Sequence, residues 1–500
     1  MAIQTQTQDI KISYLSKVAS GQVATECTVD TSATGGVDKL LSVSCGCRIK
    51  ECEALAGAVK LSGEVTTKIM YLDTAQHIAS ADYISEFTES VSAAECVEGM
   101  ALTASAAVTD IQSDVAGSSI RVQTVITADV EGRNDYQGEF VSEVSGAVTR
   151  EKSMDIISFK GMASDTFTVT EEYDTGASVT KVLLFDSDVC LSQTRAGEGS
   201  VSAEGEACIR LVYESDGNVY SKQFSVPFAE ELITAGVSED DIIEATPYIK
   251  NSNLLVTGTA EDNIIKIELA VGVDVKIYEH VFVDTVADVF SPSADIAVTS
   301  VCKSVDAPYA CKHISKRVCG TVTSDSESGI RRIMASVLCN SCLTNIYAED
   351  NAIIAEGTLT VGEIYEEEDG AISSLQIEVP FVVNCDVQGV TDKCKVSGRC
   401  TITDIVSRVK RDRDIEVCAT VQISASVSCA GELCGVTAIN VGEEREIDLS
   451  GISVYIVSEG ETLWDVAKAL NMSEKEILAQ NASLQGGISG GDRVVVFRAL

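Results

Sequence analysis

Three segments of the chain alternate apolar and polar residues with a period of two. Apolar side chains, with one threonine among them, recur at every second position in 120–126, 265–273 and 415–423. Successive side chains of a β-strand point to opposite faces, so this pattern is typical of a strand with one buried and one solvated face. We therefore predict antiparallel strands in all three segments.

A second pattern occurs once upstream of each of these strands. A glycine is followed eight residues later by a tyrosine and, after fifteen or sixteen more, by a phenylalanine. The three sets are Gly63, Tyr71 and Phe87; Gly205, Tyr213 and Phe228; and Gly357, Tyr365 and Phe381. Asp-Gly pairs at 216–217 and 369–370 supply the positive φ that a tight hairpin turn needs. Each copy is predicted to hold a strand, a turn and a returning strand, with the glycine marking a bulge or close packing and the aromatic side chains filling the core.

The repeated unit is about 130–150 residues long and has many strand signals and few helix signals. Such a pattern predicts a mainly β fold of three antiparallel, sandwich-like or barrel-like domains. We predict these domains at 8–150, 151–285 and 300–440, the last of them rich in cysteine. A short helix is predicted at 228–241.

A different pattern begins near residue 454. The segment 454–460 predicts a short strand that ends at a glycine, and Ser473 and Glu476 form a capping box at the start of a helix. The apolar residues of an earlier helix recur at helical spacing, at Leu463, Val466, Ala467 and Leu470. A glycine-rich turn and a final strand complete a small βααβ domain, predicted at 452–498.

The residues of this C-terminal segment resemble a LysM domain. The resemblance rests on Gly460, Thr462, Leu463 and Trp464, continues through Asn481, and covers the whole module. LysM domains bind N-acetylglucosamine polymers such as peptidoglycan or chitin, so the resemblance implies a shallow groove between the loops 459–463 and 481–490. The residues that it implies in ligand or partner binding are Gly460, Glu461, Thr462, Leu463, Asn481, Ile488 and Gly490. Trp464 is predicted to pack within the domain, because its place on the first helix suits packing.

The three β-units are similar to the SPOCS domain family. The resemblance rests on the order strand, glycine, strand, tyrosine, turn, strand and Pro-Phe, which is clearest at 205–228 and 357–381. The first copy carries Glu86 where the others carry proline. SPOCS units followed by one LysM resemble spore-coat morphogenetic proteins of endospore-forming Firmicutes. This resemblance implies a mother-cell protein at the forespore surface, whose LysM binds the coat basement-layer ATPase (SpoIVA-like) or other coat proteins.

The charge of the chain restricts its partners. Its 76 acidic residues against 37 Lys and Arg give a formal net charge of −39. This charge repels phosphate backbones and anionic membranes, which argues against nucleic-acid binding. No basic region followed by an apolar run marks a signal peptide, and no segment approaches the roughly 18 apolar residues of a membrane span. We therefore expect a cytoplasmic protein.

The 18 cysteines do not follow a metal-site pattern. Without an export signal we expect free thiols, most of them small buried hydrophobic side chains such as Cys418, with late oxidative cross-linking as the alternative. Cys339 and Cys342 form a lone C-x2-C, whereas a zinc site would need a second pair. Cys311 and His313 are close in sequence but have no third orienting residue, and no P-loop or dinucleotide motif is present. We predict no metal site, no cofactor and no catalytic site.

Our leading hypothesis is a non-enzymatic scaffold or adaptor in spore-coat assembly, whose LysM docks a coat morphogenetic partner at the forespore surface. The alternative is a cell-envelope protein that binds peptidoglycan, and a third reading is a wall hydrolase. A cytosolic LysM protein does not meet the wall while the cell is intact, so the expected absence of export favours the scaffold.

Overall fold

The computed structural model describes residues 3–176, 178–259, 262–444 and 451–498. Within these ranges the chain forms three consecutive β-units and a small C-terminal module with two short helices. The predicted mainly β fold is therefore confirmed.

The elements follow one order three times and then change. The first unit contains β1 Gln4–Asp30, β2 Lys39–Leu55, β3 Ala58–Leu72, β4 Ile78–Ser92, β5 Leu102–Ala116 and β6 Ser119–Ser145. The second contains β7 Val148–Asp174, β8 Val179–Gly197, β9 Ser200–Ser215, β10 Asn218–Ile233, β11 Ile242–Thr259 and β12 Asp262–Phe290. The third contains β13 Ala294–Thr323, β14 Ile330–Glu349, β15 Ala352–Glu367, β16 Ile372–Asp386, β17 Lys395–Arg411 and β18 Asp414–Glu444. The C-terminal module contains β19 Gly451–Ile456, α1 Leu463–Leu470, α2 Glu474–Gln480 and β20 Arg493–Arg498.

Each β-unit is a sandwich of two three-stranded antiparallel sheets. In the first unit β2, β3 and β4 form a meander, while β6 pairs with both β1 and β5. The second and third units repeat this order. The alternating segments seen in the sequence lie in β6, β12 and β18, and in the second unit their apolar side chains pack against residues of the meander. Burial of these two facing apolar surfaces closes the sandwich.

The repeated glycine is the position where a phenylalanine crosses the neighbouring strand. Gly205 on β9 lies opposite Phe228 on β10, and the same register pairs the other two glycines with their phenylalanines. A Cβ atom at position 205 would lie 2.1 Å from the carbonyl oxygen of Cys190 and 2.8 Å from Cζ of Phe228. Only glycine leaves room for this contact, so the predicted close packing is confirmed.

The helix predicted at 228–241 is wrong. The strand β10 runs on to Ile233, which pairs with Ser200 on β9. Phe228 belongs to the core of the second unit. Pairing with β9 and burial of this ring therefore override the local helix preference of the Ala-Glu-Glu-Leu segment.

The long strands β6, β12 and β18 of the three β-units contact one another in all three pairs, and we call the line along which they meet the axis. Counted from the turns that begin β6, β12 and β18, the residues Val141, Val286 and Val436 occupy equivalent positions. Their buried side chains belong to one hydrophobic cluster. The long ends of these strands thus bury apolar surface against one another, which joins the units.

The next layer of this axis is not symmetric. Its equivalent residues are Phe140, Thr285 and Gly435. A Cβ atom at position 435 would lie 2.9 Å from both the Phe140 ring and Thr285 Oγ1, so the glycine provides the space that the ring fills. The three units therefore carry side chains of different size at this shared contact, and the sizes complement one another.

A buried ionic network joins all three units on the side of the meanders. Arg210 of the second unit donates to Asp186 at 2.8 Å and to the backbone oxygen of Ile402 of the third unit at 2.8 Å. Lys68 of the first unit lies 3.3 Å from Asp186. Burial disfavours the carboxylate, but Arg210 and Lys68 outweigh this effect and lower the pKa of Asp186. The charges are thus paired across two interfaces, as buried charges must be.

The expectation that the cysteines are free thiols is wrong in the third unit. Cys319 and Cys418 lie directly opposite each other on β13 and β18 and form a disulfide. Two more disulfides of this unit join Cys302 to Cys434 and Cys394 to Cys429. Strand register brings these thiols together, and the sequence did not reveal it because the paired residues are far apart in the chain. The other twelve cysteines of the described chain are free.

Candidate functional site in the C-terminal module

The C-terminal module folds around its two helices. Thr462 caps α1 and Ser473 caps α2, each in a capping box with the acidic residue three positions on. The apolar faces of both helices pack on one side of the two-stranded β19–β20 sheet. The predicted capping box at Ser473 and the βααβ order are confirmed, and Thr462 and Asp465 form the cap that their spacing favours.

The module docks on the end of the second β-unit. Trp464 is buried, and its ring meets the ring of Phe290 edge to face with centroids 5.2 Å apart. Trp464 Nε1 donates to Asp288 Oδ2 at 2.8 Å, and Lys468 Nζ donates to the same oxygen at 2.7 Å. The tryptophan packs as predicted, and it packs between units as well as within the module.

The electrostatics of this contact favour the ionised carboxylate. Burial alone would raise the pKa of Asp288, but the hydrogen bonds from Lys468 and Trp464 outweigh burial and lower it. Equivalent positions on the other long strands carry Glu143 and Ala438 in place of Asp288. The positions equivalent to Phe290 carry Ser145 in the first unit and Asn440 in the third. The sequence of the second unit thus selects this unit as the docking place among three similar ones.

The two loops predicted to form a groove lie side by side. A Cβ atom on Gly490 would lie 3.1 Å from the Cα of Glu459, so the loops touch at these residues. Gly491 N–H donates to the Val457 carbonyl at 2.8 Å, and Val457 N–H donates to the Asp492 carbonyl at 2.9 Å. These backbone bonds hold the loops at a fixed spacing.

In the first loop, four residues of the predicted site have distinct roles. Gly460 is exposed, with a φ of +86° that favours glycine in this turn. Glu461 accepts hydrogen bonds from the Ser458 N–H at 2.7 Å and the Tyr455 hydroxyl at 2.8 Å, and these lower the pKa of its carboxyl. Thr462 caps α1, and Leu463 is half-buried against the module's core.

In the second loop, Asn481 is buried and joins α2 to β20. Its side chain donates to the carbonyls of Ile477 and Val495 and accepts from Val495 N–H, at 2.8 to 2.9 Å. Ile488 is half-buried against the core, and Gly490 is exposed. The exposed part of the predicted site is therefore backbone at Gly460 and Gly490, with Thr462 beside it.

Comparison with known families agrees with this architecture. A model described as the SipL SPOCS domain matches residues 36–116, 178–257 and 330–410, and a LysM domain model matches residues 455–497. The chain is a SPOCS-domain protein with a C-terminal LysM domain. Each SPOCS match covers the meander and the strand after it, and the long strands that meet at the axis lie outside the matches. Searches of the curated proteins and of the solved structures find no match.

The sheet of the LysM domain carries an exposed apolar surface that the sequence reading missed. Tyr455 and Val457 point to the core, and the alternate residues of β19 point outward together with Phe497 of β20. We call these four residues the outer face; they are Ile452, Val454, Ile456 and Phe497, with 67, 60, 63 and 57% of their surface exposed. The signal was visible in the sequence, because apolar residues occupy both faces of this strand where a half-buried strand should alternate.

The matched families are binding domains, and the close pair Cys311 and His313 bonds to different partners. SPOCS and LysM are non-catalytic binding domains. Cys311 and His313 point to two different serines, at 3.8 Å to Ser426 and 3.0 Å to Ser424. Burial raises the pKa of Cys311 to about 11 and lowers the pKa of His313, so the thiol is a poor nucleophile. None of the described helices is long and apolar enough to cross a membrane.

Proposed function

We propose that this protein is a non-enzymatic scaffold in spore-coat assembly, whose LysM domain docks a coat morphogenetic partner at the forespore surface. SPOCS and LysM domains are those of a sporulation-related protein with a module of the peptidoglycan-binding type. The finer role proposed here is that of an adaptor for the coat basement-layer ATPase in the mother-cell cytoplasm.

The observation that carries this proposal is the outer face of the LysM domain. Four large apolar side chains stand next to one another on two paired strands and are more than half exposed. Clustered apolar surface of this kind is typical of protein–protein contacts, because its burial releases ordered water. Sugar chains are gripped instead by polar backbone groups and stacked aromatic rings, and the single tryptophan of the chain is buried against Phe290.

The rigid placement of the LysM domain supports an adaptor. The contact of Trp464 and Lys468 with Asp288 holds the domain against the second SPOCS domain, while the four side chains of the outer face stay exposed. A fixed orientation reduces the entropy lost on binding, so a partner gains affinity from this arrangement.

Peptidoglycan binding is the second candidate function, favoured by the LysM family and by the adjoining loops at Gly460 and Gly490. Co-sedimentation of the full chain separates the two. The scaffold predicts binding to the purified basement-layer ATPase that survives an excess of soluble N-acetylglucosamine oligomers. Sedimentation with insoluble peptidoglycan and no binding to the ATPase would overturn the proposal in favour of the second candidate.

A further inference from the structure

Two fully buried thiols and a carboxylate converge on one face of the meander of the second SPOCS domain. Cys190 lies on β8, and Cys208 and Glu206 lie on β9. Their two Sγ atoms and one carboxylate oxygen all lie within 4.8 Å of one another. Cys190 Sγ is 3.9 Å from Glu206 Oε1. The antiparallel register produces this group, because it sets Cys190 directly opposite Glu206 with Cys208 two residues along the strand.

The carboxylate is already held in the orientation that a ligand needs. Glu206 Oε2 accepts a hydrogen bond from the hydroxyl of Ser225 on β10, while Oε1 faces Cys190. Metal-binding carboxylates are oriented by such an outer hydrogen bond. Glu206 is only half-buried and Ser225 is exposed, so an ion can enter from this side.

Two arginines and their carboxylate partners lie beside the group. Arg210 follows Cys208 two residues along the same face of β9, and Arg399 of the third SPOCS domain binds Asp188, which is the residue opposite Cys208. Each guanidinium is paired with an aspartate, Arg210 with Asp186 and Arg399 with Asp188, so these side chains balance one another's charge. A divalent ion would in turn neutralise two of the three negative charges of two thiolates and a carboxylate.

We propose that Cys190, Cys208 and Glu206 bind one zinc ion, with solvent completing a tetrahedral site. Two soft thiolates favour zinc over magnesium or calcium, and zinc accepts a mixed sulfur and oxygen set. The sequence did not reveal this group because its ligands lie on two strands of a hairpin and not in a C-x2-C motif. A second group, Cys302, Glu432 and Cys434, differs in that its two cysteines form a disulfide.

Cobalt titration of the full chain, purified with its disulfides intact and stripped of metal by a chelator, tests the site. We expect one equivalent of Co²⁺ with a thiolate-to-cobalt charge-transfer band, displaced by Zn²⁺. Cys190→Ser and Cys208→Ser should abolish the band. Ser225→Ala should weaken Co²⁺ binding by about 10–100-fold, as loss of an outer-shell partner does.

Two controls keep the result interpretable. The double variant Cys302→Ser/Cys434→Ser should retain the band, and Glu206→Gln, which leaves both buried thiols in place, should lose affinity while its circular dichroism stays that of the wild type. The proposal is overturned if the wild type shows no band, if the band survives in Cys208→Ser, or if it disappears in the double variant. A Cys190–Cys208 disulfide in protein isolated under reducing conditions would also overturn it.

Discussion

Trp464 Nε1 donates a hydrogen bond to Asp288 Oδ2 at 2.8 Å across the junction between the LysM domain and the second SPOCS domain. The same oxygen receives Lys468 Nζ at 2.7 Å. One carboxylate therefore satisfies two donors of α1 and sets the orientation of the whole LysM domain.

Asp288→Ala should release the LysM domain from this junction. The substitution leaves the indole N–H of the buried Trp464 without its acceptor, which costs about 1–3 kcal/mol, whereas the partly exposed ammonium group of Lys468 can turn to water. Trp464 is the single tryptophan of the chain, so its fluorescence reports the junction directly. We expect its emission to shift to longer wavelength. Glu143→Ala, at the equivalent position of the first SPOCS domain, is the matched control, and equal spectra for both variants would contradict this account.

Gly205→Ala should destabilise the second SPOCS domain. The new methyl group would meet the carbonyl oxygen of Cys190 and the ring of Phe228, and overpacking of this kind costs about 1–3 kcal/mol. Thermal unfolding should show a lower midpoint. Gly161→Ala, where a Cβ meets nothing within 4 Å, should leave the midpoint in place. An unchanged unfolding midpoint for Gly205→Ala would show that the repeated glycine is not needed to accommodate the phenylalanine.

Glu363 should make the stability of the third SPOCS domain fall as pH rises. It is fully buried between the hydroxyls of Ser336 and Ser407, and burial raises its pKa to about 7 although the two hydrogen bonds oppose this. The folded state thus holds this proton more tightly than the unfolded state. The stabilisation is complete below the unfolded pKa of about 4.3 and is lost as pH rises through 7, by roughly 3–4 kcal/mol.

Glu363→Gln removes this titration, and urea midpoints at pH 5 and pH 8 measure it. The variant should be more stable than the wild type at pH 8. The difference between its urea midpoints at pH 5 and pH 8 should be smaller than that of the wild type. Glu378→Gln, an exposed carboxyl on β16, is the control and should keep the wild-type dependence. Parallel curves for the wild type and Glu363→Gln would refute the assignment.

Arg210→Met should weaken the association of the three SPOCS domains. It leaves the half-buried Asp186 with Lys68 alone and the Ile402 carbonyl without its donor. We expect a loss below the roughly 3–5 kcal/mol of a fully buried ion pair, because Asp186 keeps some contact with water. Limited proteolysis and the urea midpoint should both show the loss. Arg331→Met, which removes an exposed partner of Glu366, should be nearly silent. Similar effects of the two substitutions would show that the network does not join the domains.

Local sequence patterns predicted most of the strands and helices, whereas the contacts between distant segments depend on strand register. Ser473 and Glu476 reveal their capping box in four residues, and the position of Trp464 on a helix was enough to predict that it packs. The segment after Phe228 was misread because its pairing with β9 is not a local property.

The same limit applies to the contacts between strands. Cys319 meets Cys418, and Cys190 meets Cys208, through register that spacing in the sequence does not express. The contact among the three long strands depends on residues such as Phe140, whose ring fills the space that a glycine leaves in another unit. Sequence alone showed three copies of one unit but not how the copies meet.

Binding of the full chain to the purified coat basement-layer ATPase is the most direct test of the central claim, that the outer face of the LysM domain docks a coat protein. Val454→Lys places a charge in the middle of this face and should weaken binding by roughly 30-fold or more, as loss of an interface hot spot does. Ile233→Lys makes the same change at an apolar residue that is 85% exposed on the second SPOCS domain and should bind like the wild type. Equal affinities for the wild type and Val454→Lys would contradict the account.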